Sequence, residues 1–341
     1  MTLGIAWRSK SLSLIDVSDM NNIKRVTPND LLLPGNPSCL QIVNTPKGWT
    51  AYCGQSNGYI SILNISNTDM VKVIDVKLPN VNSNISLDLS IDNSLIYAIG
   101  NQDCNNSTIF VLNAEDLSLA GPVRNLPGVC TKILYQLGTI DYLYTAIVHN
   151  ATGLEIGIWD VNGRPPRQLH NKTFLIPFAN DSDSTAKSFN GSQDSLIYIC
   201  NYSSNLIRGI HATKDNLFNQ LPNMNLPDKM TAMAPISYDG KAYVSAGSNL
   251  CIVDKDKGVT KTIPIENSAN TIDVARDSST AYLLLNTEIR DYILKVDFKK
   301  NNTITKGVLP GLLNLGFTLL PPVTSGLKTF SGCSCEKKKK K

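Results

Sequence analysis

The feature that most restricts what this chain can become is internal repetition with a period of about 45 residues, the length of one supersecondary unit. Leu/Ile-Pro dipeptides recur at Leu33-Pro34, Leu78-Pro79, Leu126-Pro127, Ile176-Pro177, Leu221-Pro222, Ile263-Pro264 and Leu309-Pro310, and Leu226-Pro227 is an extra member able to replace the fifth. An aromatic residue within an apolar strand recurs at Trp7, Tyr52, Tyr97, Tyr144, Tyr198, Tyr243 and Tyr282. A strand ending on a short polar residue recurs at Ile15-Asp16, Leu63-Asn64, Leu112-Asn113, Trp159-Asp160, Ile210-His211, Val253-Asp254 and Val296-Asp297. Three independent markers keep one order seven times, so the sequence reads as seven equivalent units.

Inside a unit the apolar period is two. Leu12-Ser13-Leu14-Ile15, Ile60-Ser61-Ile62-Leu63 and Ile85-Ser86-Leu87-Asp88-Leu89 alternate apolar with small or polar residues, as half-buried strands do. Turn clusters such as Ser56-Asn57-Gly58, Asp92-Asn93-Ser94 and Tyr238-Asp239-Gly240 separate them. No long segment keeps a 3.6-residue period. Four short strands per unit predict an all-β chain, a seven-bladed β-propeller of four-stranded antiparallel blades. The first unit lacks a strand before Trp7, and Leu315 to Leu320 follows the last Leu-Pro marker. Pairing of that segment beside Leu3 to Trp7 would close the ring with strands from both termini and remove an open edge. Residues 2–325 are then one propeller domain, and 326–341 a disordered Cys- and Lys-containing tail.

The stretch Trp7 to Val26, with Ser-Leu-Ser-Leu-Ile-Asp-Val-Ser-Asp, resembles the LVIVD type of propeller repeat. Asp239-Gly240-Lys241-Ala242-Tyr243-Val244 followed by Leu250-Cys251-Ile252-Val253-Asp254 is similar to YVTN-type repeats. The resemblance covers nearly the whole chain and implies architecture. It brings no catalytic motif, and Asn64, Asn113 and His211 depart from its aspartate.

Charge is concentrated at one end. The sequence has 32 Lys and Arg against 28 Asp and Glu; residues 336–341 supply five lysines and one glutamate, leaving 27 of each sign elsewhere. A neutral body argues against a nucleic-acid groove, so no sequence-specific nucleic-acid partner is expected. The eight cysteines show no CxxC spacing, and several sit in apolar strand patterns, so free thiols are expected. No export signal is visible, which predicts a cytoplasmic protein; a monomer is expected. Ten Asn-x-Ser/Thr sequons suit the alternative, a secreted or surface protein whose leader was removed.

Each catalytic pattern has a structural explanation. Gly54-Gln55-Ser56-Asn57-Gly58 matches a hydrolase nucleophile elbow, but that elbow needs a strand-to-helix turn, and here strands flank it on both sides. Asn57-Gly58 predicts a hairpin turn instead. Asp16, Asp160, Asp254 and Asp297 share one repeat position, where a short carboxylate caps its own turn. Asp181-Ser182-Asp183 lacks the glycine and final glutamate of a calcium loop. His149, His170 and His211 have no metal-ligand spacing, and Gly240-Lys241 precedes no helix. No metal or cofactor is expected.

What remains is a surface. Loops leading into the innermost strands crowd one propeller face, and there the sequence places Asn36, Cys39, Asn84, Cys130, Lys187, Lys229 and Asn270 around the channel mouth. The functional expectation is a non-enzymatic scaffold that binds protein or peptide. The alternative is a propeller enzyme, a lactonase-like hydrolase with polar residues gathered at the central channel. The tail offers a second contact: Cys333 and Cys335 beside Lys337, Lys338, Lys339, Lys340 and Lys341 fit an anionic membrane surface, against the plainer reading of a solvated tail.

Overall fold

The structure is a computed structural model that describes residues 1–46, 48–90, 92–136, 142–149, 153–161, 167–174, 188–192, 196–200, 205–211, 219–234, 236–237, 239–310 and 314–321. Among these residues the strands form seven sheets. The first combines Leu3–Arg8 and Ser11–Asp16 with two short outer pieces, Lys24–Arg25 and Leu31–Leu32, and with the distant strand Gly316–Leu319. The second, third and fourth follow in order, with innermost strands Pro37–Thr45, Ile85–Leu89 and Val129–Gln136. The fifth, sixth and seventh begin at Ser188–Ser192, Met230–Met233 and Thr271–Val274. Pairing along each chain segment is antiparallel; the one parallel contact joins Ile236–Ser237, between the sixth sheet's first two strands, to Ser188–Ser192 of the fifth. The chain is an all-β propeller of four-stranded antiparallel blades.

Register shows why the tyrosines repeat. Tyr52 faces Ile62, Tyr97 faces Val111, Tyr144 faces Ile158, Tyr198 faces Gly209, Tyr243 faces Ile252 and Tyr282 faces Lys295. All six occupy the same rung, one before the strand-ending marker. Trp7 does not belong to this set. The equivalent residue in the first sheet is Ile5, opposite Leu14. Trp7 lies two residues on, opposite Gly316, and a Cβ on Gly316 would fall inside its ring. The tryptophan covers a glycine of the incoming strand, which explains its displacement.

The proline marker also drifts. Leu33, Leu78, Leu226 and Leu309 each donate their N–H to the residue at the head of the third strand, at Lys10, Gly58, Asn205 and Asp291. Leu226-Pro227, not Leu221-Pro222, is thus the fifth marker. In the third and sixth sheets Gly128 and Ile265 make this bond, two residues beyond Leu126 and Ile263. The prolines there precede the bond they flank elsewhere. Ile176-Pro177 lies outside the described residues.

The core lies between sheets. Six apolar clusters each straddle two neighbouring sheets. Tyr52, Ile60 and Ile62 meet Ile85, Leu87 and Phe110; Tyr97 and Val111 meet Ile133, Leu143 and Trp159. Each fully buried aliphatic or aromatic side chain contributes about 1.5–3 kcal/mol. The expected pairing of the C-terminal segment is present: Gly4 stands opposite Leu319 and Ala6 opposite Phe317, antiparallel. Phe317 is buried with Ile15, Tyr282, Leu284 and Ile293, and Trp49 Nε1 donates to Pro321 O at 2.7 Å.

Candidate binding face

The loops that lead into the innermost strands open on the same face as the hairpins joining second to third strands; this is the upper face. The lower face carries the remaining turns. There the repeated aspartates do what their position predicts. Asp16 Oδ1 accepts Ser18 N at 2.9 Å, Asp254 Oδ1 accepts Asp256 N at 3.0 Å, and Asp297 Oδ1 accepts Lys299 N at 3.0 Å. Asp92, Asp116 and Asp277 repeat the device; hydrogen bonds from Ser90 and Ser94 hold the Asp92 carboxyl below the ordinary range, and those from Ser118 and Ser279 do the same for Asp116 and Asp277.

The upper face is held from beneath by buried and half-buried polar side chains. Asn101 Oδ1 accepts Cys130 N at 3.1 Å, and Ser107 Oγ accepts the same N–H at 2.7 Å while contacting Gly128 O at 2.6 Å. The third sheet thereby fixes the loop into the fourth. Ser245 Oγ accepts Ala269 N at 3.0 Å, so the sixth fixes the loop into the seventh. Asp291 Oδ2 accepts Asn314 N at 2.6 Å and Asn314 Nδ2 at 2.8 Å, and Asn286 Nδ2 donates to Asn314 O at 2.7 Å. These bonds tie the loop into Gly316–Leu319 to the seventh sheet. Gln55 is fully buried; its Oε1 accepts Gly35 N at 2.7 Å and its Nε2 donates to Ser61 Oγ at 2.6 Å. In the first sheet Asp30 gathers Arg8, Ser13 and Arg25. Such groups are worth about 1–3 kcal/mol each when the alternative is a buried unpaired partner.

The residues expected at the channel mouth divide into two kinds. Asn84, Lys229 and Asn270 are exposed at the ends of these loops; Lys229 O and Asn270 N are tied to Gly247 and Leu284, which leaves both side chains to solvent. Asn36 is half-buried, with its Oδ1 taking Ser9 Oγ at 3.1 Å. Cys39 points sideways and lies 3.1 Å from Ile85 O of the next sheet, and Cys130 is buried in the third–fourth core. Lys187 and the tail residues Cys333, Cys335 and Lys337 to Lys341 lie outside the described residues, as does Asp181-Ser182-Asp183. The Gly54–Gly58 pentapeptide is a hairpin with no helix. Ser56, Asn57 and Gly58 form a three-residue loop in which only Gly58 has a positive φ, 81°. That is a type I turn closed by a left-handed glycine, rather than the two-residue Asn-Gly turn expected.

Sequence reasoning missed the buried supports and two exposed apolar side chains, Ile289 and Leu315, on this face. Gln55, Asn101, Ser245 and Asn286 sit two to four residues beyond the tyrosine marker, whereas Ser107 and Asp291 lie on the strand that follows, so the supports have no constant offset or residue type. Near the axis, Asp88 and Asp273 occupy the rung opposite Tyr97 and Tyr282. Asp273 Oδ1 accepts Val274 N at 2.8 Å, and its Oδ2 accepts Thr318 Oγ1 and Leu319 N at 2.7 Å each. Burial pushes its carboxyl above the ordinary value, against the pull of those bonds. Among the described residues no group of three or more His, Cys, Asp or Glu side chains converges as a metal site would require. A cleft of about 440 Å³ lies on the lower face, walled by Trp49, Asn64, Ile65, Asp69 and Val71.

No protein-family model matches this sequence, and no curated protein matches it. Solved structures do match in shape. A protein from Lactobacillus plantarum superposes with a TM-score of 0.68 at 13% identity, over 94% of this chain and 100% of its own. The hydrazine synthase of Kuenenia stuttgartiensis gives 0.60 at 12% identity, over 89% and 90%. A chain of the mitotic checkpoint complex gives 0.58 at 11% identity, over 90% and 84%. At such identities the likeness concerns architecture alone, and the architecture is the all-β propeller that the sheets themselves display.

Proposed function

We propose that this protein is a non-enzymatic binding scaffold that takes a protein or peptide partner on its upper face. The observation that carries the reading is the division of labour on that face. Buried polar groups are consumed in fixing loop backbones, while Asn84, Lys229, Asn270 and Ile289 project into solvent. Loops ordered before binding lose little entropy on binding, which favours recognition. The same consumption removes Asp291, Asn101 and Ser107 from any chemistry with substrate. Two structures of similar shape come from a synthase and from an assembly, so the fold itself is neutral between enzyme and scaffold.

The reading includes a ring. The seven sheets act as seven blades, closed by the pairing of Gly316–Leu319 with Leu3–Arg8. Support comes from the six clusters that straddle neighbouring sheets and from the approach of the fourth and fifth innermost strands. The test of function is site-specific photo-crosslinking in cells expressing the full chain. A photoreactive residue at Asn84 or Lys229 should yield discrete adducts, and one at Thr68 on the lower face should not. Adducts from Thr68 alone would overturn the choice of face. Lactone hydrolysis lost in Asp88→Asn and Asp273→Asn would overturn the non-enzymatic reading.

A further inference from the structure

Resting on the upper-face reading, one sector of that face differs from the rest. Ile289 is 76% exposed at the tip of the hairpin 287–290, and Leu315 is 50% exposed at the head of the C-terminal strand. Neither is loosely held. Thr287 N donates to Arg290 O at 3.1 Å, and Arg290 N returns to Thr287 Oγ1 at 3.1 Å, closing the hairpin. Asn314 is clamped on Asp291, and Leu315 N donates to Trp7 O at 2.7 Å. Ile289 therefore stands on a fixed hairpin, 287–290, and Leu315 on a fixed backbone between that hairpin and the turn at Ser9-Lys10. Each hairpin carries one exposed cation, Arg290 and Lys10, against the single exposed carboxylate Glu288.

We infer that this sector is the docking site of an acidic peptide segment that presents an aliphatic or aromatic side chain. The apolar pair supplies the desolvated anchor, and the two flanking cations supply charge complementarity and orientation. Isolated exposed apolar residues are common on protein surfaces. Here two of them share one pinned site, and the cations on either side set the sign of the partner.

The test is selection from a phage-displayed library of short random peptides on the immobilised full chain, followed by fluorescence anisotropy of the enriched sequences. Enriched peptides should carry Leu, Ile or Phe flanked by Asp or Glu. Their affinity should fall about tenfold in Ile289→Asp or Leu315→Asp, which corresponds to loss of an anchor worth ~1.4 kcal/mol. It should fall also in Arg290→Glu and weaken with salt. Unchanged thermal midpoints establish that the variants remain folded. Peptides that are lost in Asn84→Asp but not in Ile289→Asp would overturn this site and leave the upper-face reading standing. Peptides that bind only through the lower face would overturn both. Basic enriched sequences, or no enrichment, would overturn the acidic-peptide inference.

Discussion

At the scale of single residues, burial sorts the cysteines. Cys53, Cys130 and Cys251 are buried and Cys39 is half-buried; Cys104 alone among the described thiols is exposed. Burial also pushes the Cys53 and Cys251 thiols up, which lowers thiolate and reactivity further. Cys39 and Cys53 are near in sequence but face opposite sides of their sheet, since Cys39 pairs with Gly54 and Leu40 with Cys53. Alkylation of the native protein should therefore label Cys104 far faster than Cys53, Cys130 or Cys251, as read by peptide mass mapping. Rapid native labelling of Cys53 would contradict the packing. The buried supports are equally testable: Ser107→Ala removes the 2.7 Å bond to Cys130 N and should cost about 1–3 kcal/mol in urea denaturation. The turn-capping aspartates were legible in sequence because each acts on its own loop. Ser107, Gln55 and Asp291 were not, because their partners lie in segments that only the folded sheets bring together.

At the scale of elements, the period-two pattern fixes strands well and registers poorly. The six tyrosines share a rung, and Tyr52, Tyr97, Tyr198, Tyr243 and Tyr282 are buried there, so their spacing survives in the sequence. The Leu-Pro marker lies where strand meets loop, and there two residues of slippage in the third and sixth sheets are absorbed by Gly128 and Ile265. Trp7 misleads for a different reason: its position answers to Gly316, about three hundred residues away along the chain and adjacent in the sheet. Turn chemistry is sharper. Gly58 has φ of 81°, and a Cβ there would meet Val81 O in the loop that leads to the third sheet. Gly58→Ala combines the left-handed backbone penalty of about 1 kcal/mol with that contact, so the loss should exceed the penalty alone. Gly258, with φ of 72° and open space around it, is the internal control. Gly258→Ala should show the backbone penalty and nothing more. Equal losses at both sites in thermal unfolding would refute the role of the Val81 contact.

At the scale of the whole molecule, the C-terminal strand is the piece on which the proposed ring would depend. Ending the chain after Leu309 removes Phe317 from its apolar cluster and exposes the edge of Leu3–Arg8, so that truncation should aggregate or unfold. A monomeric truncation of unchanged stability would refute closure by that strand. Asp273 offers a finer probe, because its carboxylate joins the seventh sheet to the C-terminal strand through Thr318 Oγ1 and Leu319 N. Its carboxyl is raised above the ordinary value of 3.8. A raised carboxyl binds its proton more tightly in the folded than in the unfolded state, so its contribution is most favourable at low pH. That contribution is lost as pH rises through the folded value. Hydrogen bonds oppose this loss, and a bond to the ionised form, about 1.5–3 kcal/mol, outweighs one to the neutral form. Thr318→Val deletes one such bond and should raise the carboxyl further. The variant should then lose more stability at neutral pH than in acid below the ordinary carboxylate value, where the group holds its proton. Comparing urea midpoints of variant and parent at each pH cancels the other carboxylates. A deficit that is the same at both pH values would mean that Thr318 merely packs against the ring. A deficit that grows with pH would place the charge of Asp273 at the joint.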